Sequence, residues 1–347
     1  MLILFYSKKY LDLYIYMDLE TKILFRDKLI ADLKEKKQLS DSSIKTYLRN
    51  LTKLNKDEMF KNFNFLKDVD VILRRLSAYK ENTKRNYLIS IVSVLSLSEK
   101  PAVKKLYNKY YDLMMKKNEE INKDVNPNEL TDTQEKNWIS WDNVKERYGL
   151  LEKEIDEFIK NKQISEAQYN TLLGYTIFSL YIHQAPRRNK DYQIMLLKNT
   201  HSPEDSKEYN YLDISKKQFI FNSYKTSSKY GSQIIDISPE LWKSLLKYFS
   251  HHPNVTMSKK NGIVIADDSY FLINFNKQPL DKVNSITRIL NKIFDKAIGS
   301  SMLRHIFLTD KYGKTLDEQQ VDAKNMAHSH SMQKDYIKKP KNITVNL

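Results

Sequence analysis

The chain has 347 residues, 41% of them hydrophobic and 29% charged, a length that at roughly 150 residues per domain suggests about two domains with cores of their own. Lys plus Arg outnumber Asp plus Glu by 58 to 43, a net charge of +15 and a pI of about 9.4, which points to a polyanionic partner, nucleic acid being the commonest. Cysteine is absent and glycine is held to 6 where average usage would give roughly 24, so disulfides, thiolate zinc sites, thiol nucleophiles and glycine loops that cradle nucleotide phosphates are excluded.

The opening Met1-Leu2-Ile3-Leu4-Phe5-Tyr6 has no basic segment ahead of it and meets Lys8-Lys9 at once, which makes it a poor signal peptide. No apolar run approaches the roughly 18 residues of a membrane span, so no membrane partner is expected, and the protein is read as unsecreted, in the cytoplasm or nucleus of a host. Residues 1–16 read as an N-terminal extension, with Met17 as an alternative start. The heavy use of Lys, Asn, Ile and Tyr also suits an AT-rich genome, a second source of basic excess. From Met17 to Asn126 the pattern is helical throughout. Asp41-Ser42-Ser43 offers N-caps to a helix whose Ile44, Tyr47, Leu48, Leu51 and Leu54 form an apolar stripe. Asn82-Thr83 opens a second, with Tyr87, Leu88, Ile91, Val94 and Leu95 on one side. Pro101 starts a third at its first turn, continuing through Leu106, Tyr110, Leu113 and Met114. Lys45 and Arg49 on the first, and Lys84, Arg85 and Asn86 at the start of the second, are the candidate DNA-contacting residues, against the plainer reading of a solvated helix face.

The polar, uncapped stretch Asp124-Val125-Asn126-Pro127-Asn128 suggests a linker over 127–138, with a second domain over 139–347. Trp138 and Trp141 at its entry read as packing anchors. Ser165-x-x-Gln168 is a capping box ahead of a helix with Tyr169, Leu172, Leu173, Ile177 and Leu180, which Pro186 stops. Segments 209–215, 218–224 and 233–237 read as short strands, the last two joined by the polar hairpin connection 225–232. Ser238-Pro239-Glu240 starts a helix. Lys282–Ala297 and Met302–Tyr312 are further helices, the latter stopped by Gly313, and Thr315-x-x-Glu318 opens another running to about Met326. The fold class is mainly α with a small antiparallel sheet.

Four separated features of the second domain suit one chemistry. Arg187-Arg188 follow a helix break, with Asp191 three residues after Arg188. Lys225 ends a strand. Ser301-Met302-Leu303-Arg304-His305 opens a helix. Met326-Ala327-His328-Ser329 precedes Tyr336. A guanidinium grips a phosphate bidentately, and two of them neutralise the charge that grows as phosphorus becomes pentavalent.

In these motifs and their order (Arg-x-x-Asp, hairpin Lys, x-x-x-Arg, Met-Ala-His-Ser, Tyr) the chain resembles the tyrosine recombinases of the phage-integrase type, in wording nearest to divergent members from eukaryotic mobile elements, large DNA viruses and virophages. The resemblance covers most of the chain. It implies a helical, SAM-like core-binding domain and a mixed α/β catalytic domain that close around double-stranded DNA, with a homo-tetramer as the working unit. It implies Arg188 and Arg304 as phosphate clamps, Lys225 as the general acid for the leaving 5′ oxygen, His328 as phosphate donor and proton manager, and Tyr336 as the nucleophile of a 3′-phosphotyrosyl link. DNA integration or recombination of this kind needs no cofactor and no metal. The physical logic agrees, since nearby guanidinium charge lowers the pKa of a phenol whose ordinary value is about 10.

One position departs from the family: Ser301 stands where its His-x-x-Arg has histidine, and His305 points about 100° away from Arg304 on a helix. Arg187 competes with Arg188 for the clamp, with the Asp191 spacing favouring Arg188, and Asp191 reads as orienting an arginine. Lys229 competes with Lys225. His328 and His330 form an H-x-H without the matched ligands a metal site needs. The strand-like Asn342–Leu347 reads as a tail that adds to a neighbouring copy's sheet. A type IB topoisomerase, a hairpin-telomere resolvase and a non-enzymatic DNA-binding descendant remain as alternatives.

Overall fold

A computed structural model describes residues 2–123, 128–258, 260, 262–266, 269–329 and 332–333, and for residues 2–16 the backbone alone. The chain divides between Glu129 and Leu130 into two units, each with its own apolar core.

The first unit is built of α1 (Leu2–Lys37), α2 (Asp41–Leu54), α3 (Val69–Leu76), α4 (Glu81–Leu95) and α5 (Pro101–Asn122), with a 3-10 turn at Asn64–Leu66. The helix expected from Met17 runs back to Leu2 without a boundary. Ser40, one residue before the expected cap, accepts the Ser43 N–H and starts α2. The apolar stripes face inward as their periodicity requires: Ile44, Leu51 and Leu54 from α2 meet Leu88, Ile91 and Leu95 from α4 in one cluster with Leu33 and Tyr110. Two polar pairs lie inside this core. Asn50 Nδ2 donates to Ser90 Oγ at 2.9 Å, tying α2 to α4, and the Tyr110 hydroxyl donates to the Leu66 carbonyl at 2.8 Å.

The second unit is mainly α with a small mixed sheet. Its elements are α6 (Asp132–Asn137), α7 (Trp141–Phe158), α8 (Glu166–Ile182), α9 (Asn189–Gln193), β1 (Leu196–Lys198), β2 (Tyr211–Asp213), β3 (Gln218–Phe221), α10 (Ser227–Tyr230), β4 (Gln233–Asp236), α11 (Pro239–Phe249), β5 (Val255–Ser258), β6 (Gly262–Ile265), α12 (Ser285–Phe294) and α13 (Ser300–Asn325). The capping box of Ser165 and Gln168 forms in both directions and starts α8. This helix is apolar on every side and buried from Leu172 to Tyr181, the mark of a central core helix. Trp141 is buried edge-on to Phe307.

The sheet order is β1-β2-β3-β4, with β1 parallel to β2 and the other neighbours antiparallel, and β5-β6 form a separate hairpin. Strand β1 escapes a reading of the sequence, because three residues give no alternation. Within the expected linker, Asp132–Asn137 is helical, opened by a capping box of Thr131 and Gln134. The connection 225–232 is not an open loop but holds the short helix α10. The helix expected over Lys282–Ala297 is shorter, closing at Asp295 in the left-handed region (φ 50°). The largest correction is at Gly313. It does not stop a helix, and Thr315 and Glu318 cap nothing, because α13 runs unbroken through both. A helical glycine costs about 1 kcal/mol against alanine, too little to break a helix whose following residues keep their hydrogen bonds.

Candidate active site

The turn between α8 and α9 carries the arginines, and it is fixed from three sides. At the end of α8, His183 Nε2 lies 2.8 Å from the Tyr148 hydroxyl, itself bonded to Ser244 and Ser179 at 2.9 and 3.1 Å. At the start of α9, Asn189 accepts from the Tyr181 hydroxyl at 2.7 Å and donates to Thr287 of α12 at 2.8 Å. Helix α12 packs on α8 at Gly174, where an added Cβ would stand at ordinary contact distance, 3.4 Å, from Ile293 Cδ1. The third anchor is Arg187. Its Nε donates to Asp191 Oδ2 at 2.9 Å, its Nη1 donates to Gln233 Oε1 on β4 at 2.9 Å, and its guanidinium stacks 3.8 Å from the Phe221 ring centre and 5.2 Å from Tyr224. Arg187 therefore clips the β3–β4 hairpin to α9.

Arg188, at the N-cap of α9, is half-buried and makes no side-chain hydrogen bond among the described residues. Arg304, one turn into α13, uses its Nε on the Ser300 carbonyl at 3.2 Å, and its terminal nitrogens make no hydrogen bond among the described residues. Arg188 and Arg304 come within electrostatic range of each other. Burial and then the charge of Arg188 lower the Arg304 pKa, with Asp191 and Tyr181 opposing. Asp191 sits among all three arginines, 4% exposed. Burial raises its pKa, while Arg187, Arg188 and Arg304 each pull it down. Its Oδ1 is buried and accepts no hydrogen bond. Of the three arginines whose charge acts on this carboxylate, Arg187 is the one hydrogen-bonded to it among the described residues. The charges of Arg188 and Arg304 act on each other and on Asp191, a locally cationic setting that suits an anion.

Spacing from Arg188 suggested the Asp191 partner, yet Asp191 binds Arg187. The i, i+4 separation of that pair was the available signal.

Lys225 is exposed, in the turn after β3 and adjacent to Tyr224, whose hydroxyl donates to the Gly231 carbonyl at 2.7 Å and closes the loop. Lys229 lies on α10 with its ammonium 5.2 Å from the Tyr230 ring centre. Ser301 and His305 are both exposed on the first turns of α13.

His328 is not with the arginines. Its N–H bonds the Ala323 carbonyl at 3.0 Å and that of Ala327 bonds Lys324 at 3.1 Å, a complete Schellman turn with Ala327 at φ 55°. This keeps His328 beside Ala323, which is about 28 Å from Arg304 along a helix rising 1.5 Å per residue. The expected break at Gly313 would have let the chain fold back. After the turn, Ser329 Oγ accepts the Met332 N–H at 3.3 Å and its carbonyl accepts from Met332 and Gln333, a fresh N-cap. Tyr336, His330 and the tail Asn342–Leu347 lie outside the described residues. Among the described residues no cluster of three His, Asp or Glu side chains suits a metal ion.

In the first unit, Lys45, Arg49 and Asn86 are exposed. Lys84 is paired with Glu81 at 2.7 Å, a carboxylate shared with Lys117 at 2.8 Å. Arg85 holds its Nε buried without an acceptor. No described helix is long and apolar enough to cross a membrane.

Comparison of the chain with protein-family models, curated proteins and solved structures finds no match. A functional reading therefore rests on the chain's own residues.

Proposed function

We propose that the protein is a site-specific DNA recombinase or integrase of the tyrosine-recombinase type, acting on double-stranded DNA as a tetramer. What supports this reading is that Arg188 and Arg304, distant in sequence, come within electrostatic range of each other and of the buried Asp191. A phosphodiester placed between the two guanidiniums receives donors on both non-bridging oxygens, and the extra negative charge of the pentavalent transition state is stabilised more than the ground state. The Tyr336 oxygen attacks the phosphorus, forming a 3′-phosphotyrosyl bond as the bond to the 5′ oxygen breaks. Lys225 gives that oxygen its proton, and the tyrosine proton leaves through His328. A 5′-hydroxyl of another strand then reverses these steps. The phosphotyrosyl bond stores the free energy of the cleaved one, so exchange needs no ATP.

This reading requires His328 and Tyr336 to reach the arginine pair through a bend in α13 or from a second molecule. The exposed Lys45 and Arg49 suit phosphate contacts by the first unit, which make binding fall steeply with salt. The test is a nicked suicide duplex carrying candidate sites, incubated with EDTA present. A covalent protein–DNA adduct that disappears in Tyr336→Phe is expected. Site-specific binding with no adduct would instead favour a DNA-binding descendant, the reading that Ser301 and the distance of His328 from Arg304 support.

A further inference from the structure

The first unit carries a second feature that DNA recombination does not explain. Helix α1 packs chiefly on α2, and α5 on α4. Between α1 and α5 lies a groove of about 730 Å³, within the roughly 300–1,000 Å³ of ligand sites. Half-buried Phe25, Phe63, Leu97, Val103 and Leu106 form its floor. Its rim is cationic: Lys28, Lys67, Lys100, Lys105 and Lys109 are exposed, and none is in an ion pair among the described residues. The lining carboxylate, Asp32, is already bound by Lys36 at 2.7 Å. Along α1 the lining runs from Phe25 to Lys36, about 16 Å or three helical turns.

We propose that this groove docks an acidic amphipathic helix of another protein, roughly three turns long, with apolar side chains on the floor and carboxylates against the lysines. An apolar floor between helices, flanked by like charges, is the arrangement that recognises such a helix. A DNA backbone answers the lysines but offers nothing apolar to cover five hydrophobic side chains. The chain's own last residues are the wrong charge, with Lys334, Lys338, Lys339 and Lys341 against Asp335. The proposal does not depend on the recombinase reading.

The test uses the full chain and fluorescent synthetic three-turn peptides. One places leucines on one helical face and glutamates on the other, a second has the same composition scrambled, and a third replaces the glutamates by lysines. The first peptide is expected to bind, and the scrambled and lysine forms to bind at least about tenfold more weakly, since charge and register both contribute. The exposed double reversal Lys105→Glu/Lys109→Glu is expected to weaken the acidic peptide by about tenfold or more while leaving the thermal transition in place. Leu106→Ala is expected to weaken it as well. The idea is overturned if the acidic peptide does not bind, if the scrambled form binds equally, or if the double reversal leaves its affinity unchanged. Displacement of the peptide by a short DNA duplex, with loss of DNA binding in the same double variant, would make the strip a nucleic-acid contact and also overturn it.

Discussion

The charges of Arg187, Arg188 and Arg304 all act on Asp191, but Arg187 alone is bonded to it among the described residues. Arg187 is spent on structure, bonded to Asp191 and Gln233 and stacked on Phe221. Arg187→Ala is expected to cost about 3 kcal/mol, because it strands the buried Asp191 and unclips the hairpin, read as a lower denaturant midpoint for the second unit. Arg188→Lys and Arg304→Lys are expected to leave that midpoint nearly unchanged. Each should slow adduct formation by about 10²–10³-fold, since lysine offers one point charge where a planar fork is needed. If Arg187→Ala instead abolishes cleavage without a loss of stability, the roles of the adjacent arginines are reversed. The sequence made the cationic cluster readable but not the division of labour within it. Which of two consecutive arginines turns inward depends on Gln233 and Phe221, whose approach is set by the sheet.

Some helix caps were legible, since Ser165, Gln168 and Ser238 act as their spacing demands, whereas Thr315 and Glu318, with the same spacing, lie inside α13. Breaks were the least legible. Gly313 and Ala327 illustrate why, each holding the residue that would suit the other. Gly313 sits inside a continuous helix, where an added Cβ would come no closer than 3.5 Å, to Thr309 Cγ2. Ala327 sits in the left-handed region at φ 55°, where a Cβ is strained. Gly313→Ala and Ala327→Gly are therefore both expected to stabilise, by about 0.5–1 kcal/mol each. Urea unfolding of the second unit checks this as a rise in midpoint at constant slope. A fall with Gly313→Ala would mean that α13 needs to bend there.

All seven histidines (183, 201, 251, 252, 305, 328 and 330) belong to the second unit, and the first has none. Two of them are held neutral. Burial lowers the pKa of His252 to about 4, with its Nε2 on the Tyr270 carbonyl at 3.1 Å and its Nδ1 accepting the Asn254 N–H at 3.2 Å. Burial lowers that of His183 as well. The unfolded chain binds these protons near the ordinary value of about 6.5, so between pH 6.5 and 4 it holds more protons than the folded one and stability falls with acidification. His252 alone accounts for about 3 kcal/mol across that window. Asp191, with its raised pKa, works in the opposite sense as it takes up a proton in the fold. Calorimetry is expected to show two transitions, of which that of the second unit moves down as the pH drops from 6.5 to 4. His252→Gln should flatten this dependence. The division into two units was legible from length and the polar stretch near Asn126. That Arg188 and Arg304 come within electrostatic range of each other was not legible from local pattern, because only packing of α13 against the rest of the unit brings it about.

The unbroken run of α13 has a consequence for genetics as much as for geometry. A rod that holds Arg304 near one end and His328 beyond the other cannot let both serve one phosphate within one molecule. If α13 stays rigid on DNA, two broken enzymes can mend each other. Mixing Arg304→Ala copies with Tyr336→Phe copies would then restore cleavage, half the machinery coming from each parent. If the rod instead breaks on binding, the mixture stays as dead as its components.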